Sequence, residues 1–242
     1  MATGYCFTVV VFIIIDLMLE ARACMQTIPV TDILQTCLIR STPFGTFSPA
    51  AGNRVPDGGT AALTCNPFTR LDGTVTTATC SAGVLSSTSL CVPCPDDTWV
   101  YDRTTNRCFK AFAGPTTFAP CTGSARCAVA SALVGAPLTL AYTFNFQALI
   151  DAGLIGINAG VGGGIYYTGI GDPNVNFQYE FNDGTLVPLP SILPYFLPNN
   201  PSDTPANAIR FLNVRNAFGS LGVDDDVCFG PPFNDAICQL QL

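Results

Sequence analysis

The sequence predicts two folded parts behind a cleavable leader: a small disulfide-rich β module over residues 24–93 and a mixed α+β domain over residues 94–242. Three observations predict them. The chain opens on an apolar run from Cys6 to Ile15 that ends in Ala21-Arg22-Ala23. Its 12 cysteines crowd up to Cys127 and then stop until Cys228. Turn signals also punctuate short apolar runs, with the strand period in one part and a mixture of strand and helix periods in the other.

Residues 1–23 have the layout of a signal peptide, a short apolar core followed by a small-residue cleavage site. The apolar run is about ten residues, too short for a bilayer that needs roughly 20, and Asp16 interrupts it. Cleavage near Ala23 and a secreted, extracellular product are expected. No later membrane span is expected, because Leu133 to Ile157 is broken by Gly135, Pro137, Asn145, Gln147, Asp151 and Gly153. Loss of Asp16, Glu20 and Arg22 takes the formal charge from -7 to -6, with 15 acidic against 9 basic residues left. A mildly acidic chain has no Lys/Arg footprint for nucleic acid. There is no histidine, which excludes a Ser-His-Asp triad, a Cys-His pair and imidazole-ligated zinc. Thiolates exported through an oxidising pathway become disulfides. No enzyme is expected. Asp224 and Asp225 are sequence neighbours, a poor basis for a paired-carboxylate glycosidase.

Cys37, Cys65, Cys80 and Cys91 enclose a Thr-, Ser- and Gly-rich segment with turns at Pro56-Asp57-Gly58-Gly59 and Leu71-Asp72-Gly73. Thr60 to Cys65 and Thr74 to Cys80 read as strands. About 55 residues build only a small core, so crosslinks are the expected support. The order of spacings resembles a complement-control (sushi) module, as does Leu71-Asp72-Gly73 ahead of Cys80, followed by Gly83 and Cys91. That resemblance implies pairs Cys37 with Cys80 and Cys65 with Cys91. It departs from the family in placing Val84 or Leu85 where a core tryptophan belongs. An unrelated small cysteine-rich module is the alternative.

The second part begins Cys94-Pro95-Asp96-Asp97-Thr98-Trp99-Val100-Tyr101, turns at Thr105-Asn106-Arg107 and returns through Cys108-Phe109-Lys110. This reads as a hairpin, with Trp99 as a core plug. Asn145 reads as the N-cap of a short helix carrying Phe146, Leu149 and Ile150 on one side and stopped by Gly153. Leu154 to Ile157 then reads as a buried strand. Gly160 to Gly164 reads as a loop that is not a phosphate fingerprint, since no helix pattern follows it. Phe177 to Phe181 alternates as a half-exposed strand, followed by the turn Asn182-Asp183-Gly184. The proline-rich stretch from Pro188 to Pro205 reads as a long ordered loop of the kind that usually has a purpose. Strand character returns at Ile209 to Val214 and again toward Ala236-Ile237-Cys238.

In this order the parts of residues 94–240 resemble a C-type lectin-like domain of the long form. Cys94-Pro95, Trp99 and Cys108-Phe109-Lys110 are similar to its N-terminal hairpin, and Cys127 with Ala128 to Leu138 to its first conserved half-cystine. Leu154-Ile155-Gly156-Ile157 resembles its Trp-Ile-Gly-Leu strand, and Phe181-Asn182-Asp183-Gly184 its aromatic-Ser-Asp-Gly turn. Gly222 through Cys228 to Cys238 resembles its ending. The resemblance implies an α+β fold whose termini meet in one sheet, a ligand-facing loop at 188–205, and pairs Cys94 with Cys108 and Cys127 with Cys238. Ala206 and Ala208 stand where the usual partner of Cys228 would lie. Cys24, Cys121 and Cys228 are therefore left over. Cys121 with Cys228 is the first pairing to consider, and Cys24 is the candidate for a disulfide-linked dimer.

Sugar-binding members of that family hold calcium through Glu-Pro-Asn or Gln-Pro-Asp, a later glutamate and Trp-Asn-Asp. Here the corresponding positions read Asn200-Pro201-Ser202, Ala206 and Val223-Asp224-Asp225. The candidate ligand-binding residues are Asn200, Ser202, Asp224 and Asp225. Asn200, Asp224 and Asp225 form a weak calcium candidate, since calcium takes six to eight oxygens. The alternatives are a solvated acidic turn at Asp224 to Asp226 and a metal-free cis-proline at Pro201. The expected function is a secreted lectin-like binding protein for glycan, with no cofactor or weakly bound calcium. A calcium-independent module for an extracellular protein, in host defence (innate immunity) or matrix, is the other reading. Exposed Tyr195 and Phe196 would favour that one.

Overall fold

The computed structural model describes residues 35–113, 123–174, 178–201, 210–217, 220–227 and 235–242. The predicted leader, Cys24, Cys121, Cys228, Ser202, Phe177, Ala206 and Ala208 lie outside them. The chain divides into two compact units, the first containing residues 35–65 and 71–91 and the second 66–70 and 92–242 in their described parts.

Among the described residues, the regular elements of the first unit are strands only: β1 (Thr36–Leu38), β2 (Gly45–Ser48), β3 (Arg54–Pro56), β4 (Thr60–Cys65), β5 (Arg70–Asp72), β6 (Thr77–Ser81), β7 (Val84–Leu85) and β8 (Leu90–Val92). Two of them, β5 and β8, run one residue past its bounds. A four-stranded sheet runs β2-β4-β6-β7, with two-stranded pairs β1-β3 and β5-β8. Period-2 alternation is visible in β4 and β6, where Ala61, Leu63, Ala78 and Cys80 turn inward and threonines turn out. The expected strand from Thr74 starts three residues late, because Val75 bonds to Ser89 through backbone and hydroxyl contacts instead of joining the ladder. Disulfides join Cys37 to Cys80 and Cys65 to Cys91. Val84 is exposed, and Leu85 packs on the small core of Cys37, Ile39, Val55, Ala61 and Cys80.

The second unit contains β9 (Val100–Asp102), β10 (Arg107–Phe112), α1 (Gly123–Val134), β11 (Thr139–Leu140), α2 (Phe146–Asn158), β12 (Ile165–Asp172), β13 (Tyr179–Phe181) and β14 (Leu186–Val187). It continues through the short helix α3 (Leu189–Ile192), a 3-10 turn at Leu193–Tyr195, β15 (Arg210–Ala217), β16 (Ser220–Val227) and β17 (Asp235–Gln241). The central sheet runs β14-β13-β12-β17-β10-β9, with β15 paired to β12 and to β16. β17 lies antiparallel to β10 and parallel to β12, so the two ends of the unit meet in one sheet.

β17 is buried on both faces, and its alternation separates two cores. Ala236, Cys238 and Leu240 enter a cluster with Trp99, Cys108, Cys127, Ala130 and Leu138 beneath α1. Ile237 enters the larger cluster of Phe109, Phe146, Leu149, Tyr166, Tyr179 and Leu212 beneath α2. Trp99 is a core plug, edge-on to Phe112 with ring centroids 5.8 Å apart. Disulfides join Cys94 to Cys108 and Cys127 to Cys238.

Helix α2 corrects the sequence reading. Gly153 does not stop it, and Leu154 to Ile157 is its last turn rather than a strand. The quartet similar to Trp-Ile-Gly-Leu is therefore helical, and the inner strand is Ile165–Asp172. A glycine in a helix interior costs about 1 kcal/mol against alanine, but here both glycines face the sheet. A Cβ at Gly153 would stand 2.6 Å from Val214 Cγ1, and one at Gly156 2.6 Å from Ala111 Cβ. They let the helix approach the strands closely.

Asn145 occupies the N-cap position of α2 without capping it. Its side-chain amide donates instead to Asp102 Oδ1 at 3.2 Å. Asp102 is buried and also accepts from Thr104 N and Oγ1, Thr105 Oγ1 and Thr143 Oγ1. This carboxylate ties the β9–β10 turn to the start of α2. The loop over Gly160 to Gly164 serves an internal anion, with Gly163 N donating to the buried Asp235 carboxylate at 2.6 Å.

Candidate functional site

The described part of the proline-rich segment, residues 188–201, is anchored to the core at two points, Ile192 and Leu197. Pro190 sits in the first turn of α3, where its missing N–H costs nothing. Ile192 and Leu197 are core residues. Tyr195 packs on Phe146 with centroids 5.4 Å apart, and Phe196 on Tyr179 at 6.1 Å. Both aromatic residues are half-buried against the larger core. They do not form the exposed anchor that the protein-binding reading asked for.

The segment is then laid along β16. Phe196 forms a parallel bridge with Val223, and Leu197 N donates to Val223 O at 2.8 Å. Gly222 permits the approach, since a Cβ there would lie 3.0 Å from Tyr195 O. Asn200 follows, its N–H bonded to Leu197 O at 3.1 Å and its peptide to Pro201 cis. Ser202 lies beyond the described residues.

Asp224, Asp225 and Asp226 are not a turn. They lie in β16 opposite Asn213, Leu212 and Phe211 of β15. The ladder supplies partners for their backbone groups, and that requirement outranks the turn preference of three successive aspartates. Successive side chains leave opposite faces of a strand. Asp224 is only 3% exposed, and its carboxylate forms an ion pair with Arg215. Burial raises the Asp224 pKa to about 6; Arg215 pulls it down, while Asp225 and Asp226 push it up. Beside it Asn213 is fully buried, and neither end of its amide has a hydrogen-bond partner among the described residues. Arg215 and Asn213 are site residues that the sequence reading missed. The usable signal was the strand after Ile209, whose alternation carries a cation toward the acidic run.

These donors do not fit a calcium shell. The Asp224 carboxylate is taken by a guanidinium, and Asp225 leaves the other face of the strand. No group of three His, Cys, Asp or Glu that could hold a metal occurs among the described residues. Nor is any helix among them long and apolar enough to cross a membrane.

No protein-family model and no curated protein matches the chain. Among solved structures it is similar to the C-type lectin CEL-I from Cucumaria echinata, with 14% identity over 60% of this chain and 96% of that one and a TM-score of 0.39. The C-type carbohydrate-recognition domain of cow CD23, solved with a GlcNAc2Man3 oligosaccharide, is similar at 14% identity, over 61% of this chain and 95% of that one, with a TM-score of 0.40. The carbohydrate-recognition domain of mouse scavenger receptor C-type lectin gives 14% identity, 61% and 96% coverage and a TM-score of 0.38.

Proposed function

We propose that this chain is a secreted, non-enzymatic C-type lectin-like protein that binds carbohydrate where residues 195–201 lie along β16, without a resident calcium ion. The observation that carries the calcium-free reading is the Arg215–Asp224 pair. It supplies from the chain itself the positive charge that a bound cation would bring to that carboxylate. Asn200, Ser202 and the half-buried Asp226 are the groups proposed to meet sugar hydroxyls, while Asp225 is buried. The first unit is read in the same proposal as a sushi-like module. Its crosslinks, first cysteine to third and second to fourth, support that reading.

A glycan array probed in calcium and in chelator tests the proposal, together with thermal melting in both. Binding retained in chelator and an unchanged melting temperature are expected. A metal bound only by the native state must raise stability, so a calcium-dependent rise in melting temperature, or binding lost in chelator, overturns the calcium-free reading. No glycan bound in either condition removes carbohydrate and leaves an extracellular protein as the ligand.

A further inference from the structure

The turn Asn182-Asp183-Gly184 is a ridge between two open clefts. One, of about 280 Å³, is lined by Glu180, Phe181, Asn182 and Phe211. The other, of about 340 Å³, is lined by Ser124, Thr139, Tyr142, Asn182 and Asp183. None of Asn200, Asp224 and Asp225 lines either cleft.

The ridge is clamped in place. Gly184 adopts φ 84°, and its N–H donates to Phe181 O at 2.8 Å, while Phe181 N donates to Thr185 O. Asn182 N donates to Gly169 O at 3.0 Å, and a Cβ at Gly169 would press on the Asn182 amide and on Leu140 O. A preorganised turn spends little of its binding energy on ordering.

Three rings support it. Phe181 packs between Tyr142, at 5.1 Å, and Phe144, at 4.8 Å, and Phe144 is 53% exposed. The Arg107 guanidinium covers the Tyr142 ring at 4.7 Å and is spent on Gln241 Oε1, Gln239 Oε1 and Tyr142 O. It therefore offers little to an anionic ligand.

The polar groups on the ridge are still available. The Asn182 side chain is exposed and makes no side-chain hydrogen bond among the described residues, so it presents two donors and an acceptor. Asp183 is exposed and held in its ionised form by hydrogen bonds from the Thr185 backbone and then its hydroxyl, with Tyr142 and Arg107 adding to them. Glu180 supplies a carboxylate on the other side, with one oxygen accepting from Asn174. An amide beside a carboxylate matches neighbouring sugar hydroxyls, and Phe181 and Phe211 in one cleft and Tyr142 in the other give each an apolar wall for the C–H face of a sugar. The larger cleft is at the lower end of the roughly 300–1,000 Å³ typical of small-molecule sites and the smaller falls just below it, room for about one sugar ring each.

We infer that the Asn182–Gly184 turn is a second, calcium-independent saccharide site, taking a neutral oligosaccharide across the ridge with one sugar ring in each cleft. It goes beyond the proposed site along β16 and stands without it.

The test is an NMR titration of the isotope-labelled full chain, in chelator, with mannotriose, chitotriose and cellotriose as probes. The inference expects shifts at Tyr142, Phe144 and residues 182–184 with at least one probe, and affinity about tenfold weaker in Asn182→Ala. Phe144 lines neither cleft and acts only through its packing on Phe181, so Phe144→Ala is expected to weaken binding less. If Phe144→Ala fails to melt like the wild type, Asn182→Ala alone decides, because its side chain holds nothing in the fold. Shifts confined to residues 195–201 and 220–226 overturn the ridge and leave the β16 site standing. Shifts at the ridge alone do the reverse. No shift with any probe, or wild-type affinity in Asn182→Ala, overturns the inference.

Discussion

In the β module the buried cluster is Cys37, Ile39, Val55, Ala61 and Cys80, so two of five members are halves of one crosslink. The α+β domain buries two clusters on opposite faces of β17, and the larger contains no cysteine. The same chain thus uses disulfides in two ways. In the module the bond substitutes for a core too small to hold the strands. In the domain it reinforces strands that aromatic and aliphatic packing already holds.

The largest effect should come from removing the module's bond. Closing the 43-residue separation of Cys37 and Cys80 contributes about 4 kcal/mol in the chain-entropy account. Only the Cys65–Cys91 crosslink and the small core then hold those strands, so Cys37→Ser with Cys80→Ser should unfold the module and leave the domain intact. Amide exchange checks this: module amides should lose protection while those of β10, β12 and β17 keep it. Cys127→Ser with Cys238→Ser removes a similar amount, from a separation of 111 residues, yet the domain should still melt cooperatively at lower temperature. Equal survival of both units would end the contrast.

A smaller effect, confined to the domain, is expected at Asp102. Burial pushes its pKa up, but hydrogen bonds from Thr104, Thr143, Thr105 and Asn145 outweigh that and bring it down to about 2. Asp102→Ala leaves those donors without their acceptor and should cost about 3 kcal/mol in denaturant unfolding. The sign for acid follows from the lowered pKa. The stabilisation is present above the ordinary value of 3.8 and is lost as pH falls from there through about 2.

Next in size is Gly156→Ala. The new methyl would meet Ala111 Cβ at 2.6 Å and Tyr166 Oη at 2.9 Å, so α2 must move off the sheet. A loss of about 2 kcal/mol is expected, read as a lower melting temperature of the domain with the module's transition unchanged.

That glycine also shows where the sequence was legible and where it was not. Strands with one buried face announced themselves, as at Thr60–Cys65 and Tyr179–Phe181, because alternation is a local signal. The hairpin of β9 and β10 was legible from its turn and its apolar flanks. The extent of α2 was not, because Gly153 and Gly156 are helix breakers by local rules and close-packing residues only in the presence of Val214 and Ala111. Helix α1 went unread because its Ala-, Ser- and Val-rich run has no clear apolar stripe. The candidate site was legible in composition but not in conformation. Three aspartates in succession read as a solvated turn until β15 is laid beside them. Arg215, nine residues before Asp224 and diagonal to it across the ladder, lies on a strand whose alternation was legible, but only the register makes it the partner.

The smallest expected effect tests whether that buried aspartate is tolerated rather than stabilising. A carboxyl raised from 3.8 to about 6 in the folded chain binds a proton more readily there than in the unfolded chain. Its ionised form therefore costs stability at neutral pH, and the cost is relieved as pH falls through about 6 toward 3.8. Between pH 7 and pH 5 the linkage relation gives a relief of about 1.3 kcal/mol for this group. Asp102 contributes almost nothing in that window, since it titrates lower. The Asp224→Asn variant has no such proton to bind. Its absolute stability moves in either direction, depending on how Arg215 resettles, but its stability from pH 7 to pH 5 should rise less steeply than the wild type's by about that amount. Parallel pH profiles in denaturant unfolding would show that Arg215 holds the Asp224 carboxylate at its ordinary pKa. The pair would then be a surface-like contact rather than a buried charge compensated from within the chain.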